Sequence, residues 1–327
     1  MTTQNNKRRT LLSLLPAAAV LAFGLQTPAH AQVKQITLDY ATYNPVGLIL
    51  KEKGYLEEDL KSKGIAVRWV QTLGSNKALE FLNAGSIDFG STYAAASLVG
   101  KVNGNPIKSI YVYTRPTGVA LVKPKGSTLT KVEELKGKRV AVTRGTDPHI
   151  YLIRALAKHG LSDKDIQSVL LQHGDGRAAL VRGDVDAWSA LDPLTAAAEL
   201  ENGAQIFYQD PELSTWGFLN VRESFAKDNP ELVKQVLASY EKARQYAIAN
   251  PKEVVKVLAT LAKLPDNIIE RQLQREDFSV SQIGDAQRRF VLEAGQALQK
   301  AGVIKADVNV QNVVNDLIDT RYNVASK

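Results

Sequence analysis

A ten-residue phrase occurs twice in this chain, and its repetition restricts the fold more than any single motif does. Leu82-Asn83-Ala84-Gly85-Ser86-Ile87-Asp88-Phe89-Gly90-Ser91 is answered by Leu180-Val181-Arg182-Gly183-Asp184-Val185-Asp186-Ala187-Trp188-Ser189, with the two glycines 98 positions apart. Each phrase reads as a helix end, a glycine stop, a polar residue and a short apolar strand opening with Asp. Glycine suits the stop because a helix commonly ends on a left-handed residue. The likeness extends upstream, where Gln71-Thr72-Leu73-Gly74-Ser75-Asn76 precedes the first phrase and Gln172-His173-Gly174-Asp175-Gly176 the second. Each half also begins alike: a strand (Ile36 to Tyr40, Val140 to Thr143), a loop, then an apolar helix closed by Gly54 or Gly160. A short-period array would give a solenoid, whereas one duplication of about a hundred residues gives two similar α/β lobes. The space between such lobes is a preferred ligand site. Chance likeness is the alternative, because glycine-ended helices are common.

The first 31 residues have the layout of an export signal. Lys7-Arg8-Arg9 is basic and free of acids, Leu11 to Leu25 is mostly apolar, and Ala29 and Ala31 precede a cleavage point before Gln32. A membrane anchor is the other reading, but the apolar run is short of the ~20 residues that span a bilayer and Pro16 interrupts it. Lys7-Arg8-Arg9-Thr10-Leu11-Leu12 loosely resembles a twin-arginine signal, and the general secretory route stays open. The chain has no cysteine, which excludes disulfides, thiolate metal sites, cysteine nucleophiles and a cysteine-borne lipid anchor. The expected location is therefore the periplasm, with the signal removed after about Ala31.

Cleavage would leave 296 residues, enough for two ordinary domains, and would lower the formal charge from +7 to +4. Lys and Arg are interspersed with Asp and Glu rather than clustered, so a nucleic-acid partner is not expected.

Along the remaining chain, short apolar strands alternate with helices from 32 to about 114, which favours a largely parallel sheet covered on both faces. The pattern breaks at Thr114-Arg115-Pro116-Thr117-Gly118, the first expected crossover, and resumes from Val119. Thr130-Lys131-Val132-Glu133 offers a capping box. Strands are expected at Arg139 to Val142, Ser168 to Leu171, Asp186 to Ser189 and Gln205 to Tyr208. The intervening helices are His149 to Lys158, Arg177 to Arg182 and Pro193 to Leu200. Gly217 to Val221 reads as a strand that rejoins the first lobe. From Pro230 the chain shows helical spacing over Glu231–Ala249, Pro251–Ala262, Pro265–Leu273 and Asp285–Ala301. This tail has no strand of its own and is expected to cover the first lobe, a separate helical domain being the alternative.

Several stretches resemble the periplasmic aliphatic sulfonate-binding proteins, within the wider sulfonate, taurine and nitrate solute-binding family. They are Gly64 to Val70, Leu82 to Gly90, Leu135 to Val142, Arg154 to Leu161 and Arg177 to Trp188. The resemblance covers roughly residues 36 to 225. It implies a two-lobed α/β clamshell of type II with two chain crossovers and the C-terminal helices packed on lobe one. Lobe one would comprise 32–114 and 215–327, and lobe two 115–214. It also implies a monomer that delivers a small anion to the permease and ATPase of an ABC importer, without cofactor or metal. Two places differ from the family pattern. Ser91-Thr92-Tyr93-Ala94-Ala95-Ala96 stands where an acidic residue and prolines are usual, and Leu194 stands where Trp188-x-x-x-Asp192-Pro193 is usually followed by Tyr.

Ligands in such sheets sit beyond the carboxyl ends of the strands, against helix N-termini whose free N–H groups and dipole favour anions. The candidate loops are Tyr43-Asn44, Gly74-Ser75 and Ser91-Thr92-Tyr93 in lobe one, and Gly145-Thr146-Asp147, Gly174-Asp175 and Asp192 in lobe two. Gly74 and Gly145 would admit close backbone approach, while Ser75, Ser91, Thr92 and Thr146 would add hydroxyl donors. Ser75, Asn76, Thr146 and Asp147 also suit plain N-caps. Arg115 could pair an anion bidentately or form an interlobe salt bridge. Tyr43, Tyr93, Trp188 and Trp216 could wall an organic group, and Asp175 or Asp192 could accept an ammonium. Closure would hinge near Thr114 and Leu213.

Other functions stay in view. A nitrate-like anion or a cyclic pyrimidine-type precursor would suit the same clamshell. An exported α/β hydrolase or lyase would need a nucleophile and base, yet no Gly-x-Ser-x-Gly elbow is present and His149, His159 and His173 lack metal-ligand spacing.

Overall fold

The computed structural model describes residues 33–323; the expected export signal and its cleavage point lie outside the described residues. The chain runs β1 (Gln35–Tyr40), α1 (Pro45–Lys53), α2 (Tyr55–Lys61), β2 (Ala66–Gln71), α3 (Ser75–Asn83), β3 (Phe89–Tyr93), α4 (Ala94–Val102) and β4 (Ile107–Pro116). A second run follows: β5 (Ala120–Lys123), β6 (Arg139–Val142), α5 (Asp147–Lys158), β7 (Gln167–Leu170), α6 (His173–Arg182), β8 (Ala187–Ala190), α7 (Leu194–Asn202) and β9 (Gln205–Tyr208). The remainder is β10 (Gly217–Arg222), α8 (Glu223–Asp228), α9 (Pro230–Ala249), α10 (Pro251–Ala262), α11 (Asp266–Leu273), β11 (Glu276–Asp277), α12 (Asp285–Lys300) and α13 (Val310–Leu317).

Two sheets result, in the orders β2-β1-β3-β10-β4-β11 and β7-β6-β8-β5-β9. In each, a first strand (β1, β6) lies parallel between two others, and one antiparallel strand follows beyond them. That antiparallel strand is the one delivered from the other sheet. β5 begins after the chain leaves the first sheet at Pro116, and β10 begins after it leaves the second at Tyr208. Each sheet therefore contains a strand whose predecessor in the chain belongs to the other.

The repeated phrase has one structural meaning in both places. Gly85 and Gly183 adopt φ of 68° and 78°, the left-handed region that ends a helix with little strain only in glycine. The residue after each glycine then turns its N–H back to the helix, Ser86 to the Phe81 carbonyl and Asp184 to the Ala179 carbonyl, each at 2.9 Å. Next, Asp88 and Asp186 each fasten the new strand to its neighbour twice. The Asp88 N–H donates to the Thr37 carbonyl (2.8 Å) and its carboxylate accepts from the Thr37 N–H (2.9 Å). Asp186 does the same with Arg139, at 2.8 Å in both directions.

The C-terminal helices mainly cover the first sheet. α9 packs on α1 and α2, and α12 and α13 pack on α4. Leu98, Phe218, Val291, Leu298, Val310 and Val314 share one buried cluster there. Two contacts cross to the second sheet's helices, α11 on α7 and α12 on α5, so the tail also braces the two halves against each other.

Some details depart from the sequence reading. The tail does contain a short strand: β11 pairs with the end of β4 at Arg115 and Pro116, giving an otherwise open edge two more residues. The capping box at Thr130 is shifted by one residue, since Thr130 donates from its backbone to Glu134 at 2.8 Å. Only a 3₁₀ turn, Val132–Leu135, forms there, and Glu133 instead faces His159 at 2.9 Å. α6 starts at His173 rather than Arg177: Gly174 and Gly176 are both helical, and buried Gly176 lies against Trp188 of β8. α2, α8 and α13 were not anticipated; each is short, with helical character that comes from packing rather than a long apolar period.

The two Asp ties should not be equal in energy. Asp88 is buried and also paired with Arg222 at 2.6 Å, whereas Asp186 is only partly covered. Asp88→Ala is expected to cost about 1.5–3 kcal/mol, and Asp186→Ala about 1 kcal/mol or less. Urea denaturation of the two variants checks the order, and equal losses would contradict it.

Candidate functional site

The strands of the two sheets present their carboxyl ends to a common space, and the helices that follow start there. α3 and α4 supply N-termini from the first sheet, α5 and α6 from the second. The first N–H groups of a helix have no intrahelical acceptor, so each start has a positive dipole end and donors to place; at α4 those of Ala94 and Ala96 are taken by the Trp216 carbonyl and Asp147. A narrow crevice, too tight to admit a water molecule, lies among these helix starts. Tyr43, Gly74, Ser75 and Tyr93 form one wall, and Thr146, Pro148, His173 and Leu191 the other.

Most of the hydroxyls expected to face a ligand are already committed. The Tyr43 hydroxyl donates to the Ser91 carbonyl at 3.0 Å, and Thr146 donates to the Thr143 carbonyl at 2.7 Å. Ser91 donates to the Asp39 carboxylate and accepts from the Asn44 amide. Thr92 bonds Ser97 and Asn220 within the first sheet. Ser75 differs: its oxygen accepts the Tyr93 N–H at 3.1 Å, which leaves its own proton uncommitted among the described residues. Buried hydroxyls take local partners because an unpaired one is costly to bury, and this reduces the expected hydroxyl donors to Ser75. Asn44 caps α1 through Gly47 at 2.9 Å and also belongs to this internal network.

Trp188 does not wall the crevice. It is fully buried in the second sheet's own core with Val122, Ala141, Ala179 and Leu180, because β8 turns alternate residues to opposite faces. Ser189, on the other face, donates to the Pro148 carbonyl at 2.6 Å. Gly174 and Asp175 are exposed in the first turn of α6, so Asp175 is no ammonium acceptor within the crevice. Gly145 is half-buried with φ of 76°. Arg115 is exposed and lies over the Trp216 ring at 4.9 Å, so this pair is a surface stack beside the crossover rather than an interlobe salt bridge. Trp216 lends its carbonyl to the Ala94 N–H at 2.8 Å, at the start of α4.

Four carboxylates surround this region, three of them buried and Glu276 half-buried. Asp147 is 4% exposed and accepts the Ala96 N–H at 3.1 Å, so a charge from the second sheet sits on the positive end of α4. Burial pushes Asp147 up to about 7, opposed by the Ala96 N–H bond and the charge of Arg154. Asp192 caps α7 through Ala196 at 3.0 Å and pairs with Arg275 at 3.2 and 3.3 Å. It is thereby engaged by protein cations rather than free for an ammonium, and burial holds it at about 6. Burial raises Asp39 to about 7 and Glu276, which accepts from Thr114, to about 8.

His173, set aside in the sequence for lack of metal-ligand spacing, belongs to the crevice. Aligning glycines placed Gly174 opposite Gly74; aligning helix starts places His173 opposite Ser75, and that register would have found it. A Cβ at Gly74 would come within 3.1 Å of His173 Nε2, so glycine permits the two sheets to approach here. Arg275 was also missed, since its role depends on α11 docking against α7. Among the described residues no group of His, Asp or Glu is arranged to hold a metal ion.

Residues 46–254 match the model of the family described as NMT1/THI5 like. A protein of Escherichia coli (strain K12), provisionally named an aliphatic sulfonates-binding protein, is 28% identical over 267 residues, 81% of this chain and 83% of its own length. The taurine-binding periplasmic protein of the same strain is 26% identical over 315 residues, 91% of this chain and 94% of its own. The alkanesulfonate-binding protein of Xanthomonas axonopodis pv. citri bound to MOPS has a TM-score of 0.80 at 26% identity. That match covers 86% of this chain and 98% of the other. The architecture is accordingly that of the periplasmic binding proteins: two α/β halves, two crossovers, and helices of the tail packed mainly on the first.

The four raised carboxylates have a consequence for stability. Their native affinity for protons exceeds that of the unfolded chain, so the folded state binds more protons between about pH 4 and 8. The stabilisation is complete below the unfolded values and is lost as pH rises through about 6 to 8. The urea midpoint is expected to fall from pH 5 to pH 8, less steeply in Asp39→Asn. A profile that is flat, or that rises over this window, would contradict the assignment.

Proposed function

The chain belongs to the NMT1/THI5-like family, and we propose that it is the exported, non-catalytic solute-binding component of an ABC importer that captures a small organosulfur anion. Lobe one comprises 32–114 and 215–327, lobe two 115–214, and the ligand lies between them. The carrying observation is the convergence of four helix N-termini from two sheets on one crevice.

A sulfonate presents three weakly basic oxygens that accept several N–H bonds at once without requiring a proton. One helix end contributes only ~0.3–2 kcal/mol, so selection of an anion needs several ends acting together, and this fold supplies them. Ser75 adds a hydroxyl donor at the start of α3. The sulfonate- and taurine-binding names of the relatives support an aliphatic sulfonate or taurine over nitrate or a pyrimidine.

Binding across the crevice favours the closed form because only that form brings both sets of N–H groups to one anion. The chain would flex at its crossovers, near Thr114 and Leu213. The closed surface is what the permease would recognise before the ATPase drives transport, and the periplasm is where this takes place.

Calorimetric titration of the purified protein with alkanesulfonates, taurine, sulfate esters and nitrate tests the reading. At least one organosulfur anion is expected to bind with micromolar or tighter affinity, and Ser75→Ala to weaken it about tenfold. Silence across the panel, or turnover of a ligand, would remove it.

A further inference from the structure

The sulfonate reading leaves one crevice group unexplained, the imidazole of His173. It is 5% exposed, and burial pulls it down to about 3, so the ring is neutral. Its position as the first residue of α6, at a positive dipole end, acts in the same direction. A neutral imidazole has one N–H and one lone pair, and the partner of one nitrogen decides which is which.

Here the partner is unambiguous. Thr143 Oγ1 lies 3.0 Å from His173 Nδ1, and the same hydroxyl donates its only proton to the Leu171 carbonyl at 2.8 Å. Thr143 can therefore only accept from the ring, so the proton is on Nδ1 and the lone pair on Nε2. That nitrogen has no hydrogen-bond partner among the described residues. Its edge faces Gly74 across the crevice, alongside Tyr43, Ser75 and Tyr93. A residue needed only to hold Thr143 would use one nitrogen; this one points a second, unshared acceptor into the space between the sheets.

A lone pair repels a sulfonate oxygen and attracts a hydrogen. We propose that His173 Nε2 selects a sulfonate carrying an amino or hydroxyl hydrogen beside its anionic group, over a plain alkanesulfonate. The helix N-termini hold the anion and His173 reads its neighbour. The proposal rests on the anion reading above and narrows its ligand class.

The test compares taurine, isethionate and ethanesulfonate, which share a two-carbon sulfonate and differ only in the terminal group. Taurine or isethionate is expected to bind at least ten times more tightly than ethanesulfonate, because a buried acceptor left unpaired penalises the analogue without a donor. His173→Ala is expected to collapse that ratio towards one. In the unaltered protein, nitrogen NMR of the imidazole should show an unprotonated Nε2 whose resonance moves with taurine or isethionate and not with ethanesulfonate. A purely structural histidine would show no such ligand dependence. Ethanesulfonate binding as tightly as the others, or a protonated Nε2, overturns the proposal while leaving the anion reading intact. If none of the three binds, this proposal falls, while the anion reading stands or falls on the wider panel of alkanesulfonates, sulfate esters and nitrate.

Discussion

Everything in this molecule follows from two sheets facing each other with the carboxyl ends of their strands. A strand that ends there is followed by a helix that starts there, so positive helix ends accumulate in one small space. Neither sheet could do this alone, because the helices of one sheet run side by side and aim at the same edge of solvent. The crossover strands β5 and β10 fix the arrangement, since each is built into the sheet opposite to the strand that precedes it in the chain.

The concentration of positive helix ends has to be balanced, and the fold does so with carboxylates. Asp147 reaches from the second sheet to α4 of the first, and Asp192 caps α7 while holding Arg275. Such groups are stable in the interior only with several hydrogen bonds or a partial proton, and both occur here. The same pressure absorbs the hydroxyls of Tyr43, Ser91, Thr92 and Thr146 into internal bonds. These internal bonds leave hydrogen-bonding atoms uncommitted on Ser75, Asn76 and His173 beside Gly74.

Legibility differed sharply between layers. Strands such as β6 and β9 and helices such as α9 and α10 follow their periodicity closely, because burial of one face is written in the residue spacing. The repeated phrase also carried real information: its glycine and Asp impose the same helix stop and the same strand tie in both halves. Site residues were harder. Trp188 looked like a ligand-facing aromatic and is core, because the face a strand residue occupies is set by its sheet neighbours. Gly174 looked like the twin of Gly74 and is helical, since α6 begins one residue before its glycine whereas α3 begins one residue after its own.

By itself, then, the sequence determined that this would be a duplicated α/β chain with glycine-stopped helices and an Asp fastening each third strand, since those are local choices of backbone and spacing. The tertiary structure decided which polar atoms remain free. Which proton stays free on Ser91, Ser75 or His173 turns on hydrogen-bond partners 18 to 52 residues away, and a donor spent on a distant acceptor leaves no mark in the sequence that carries it.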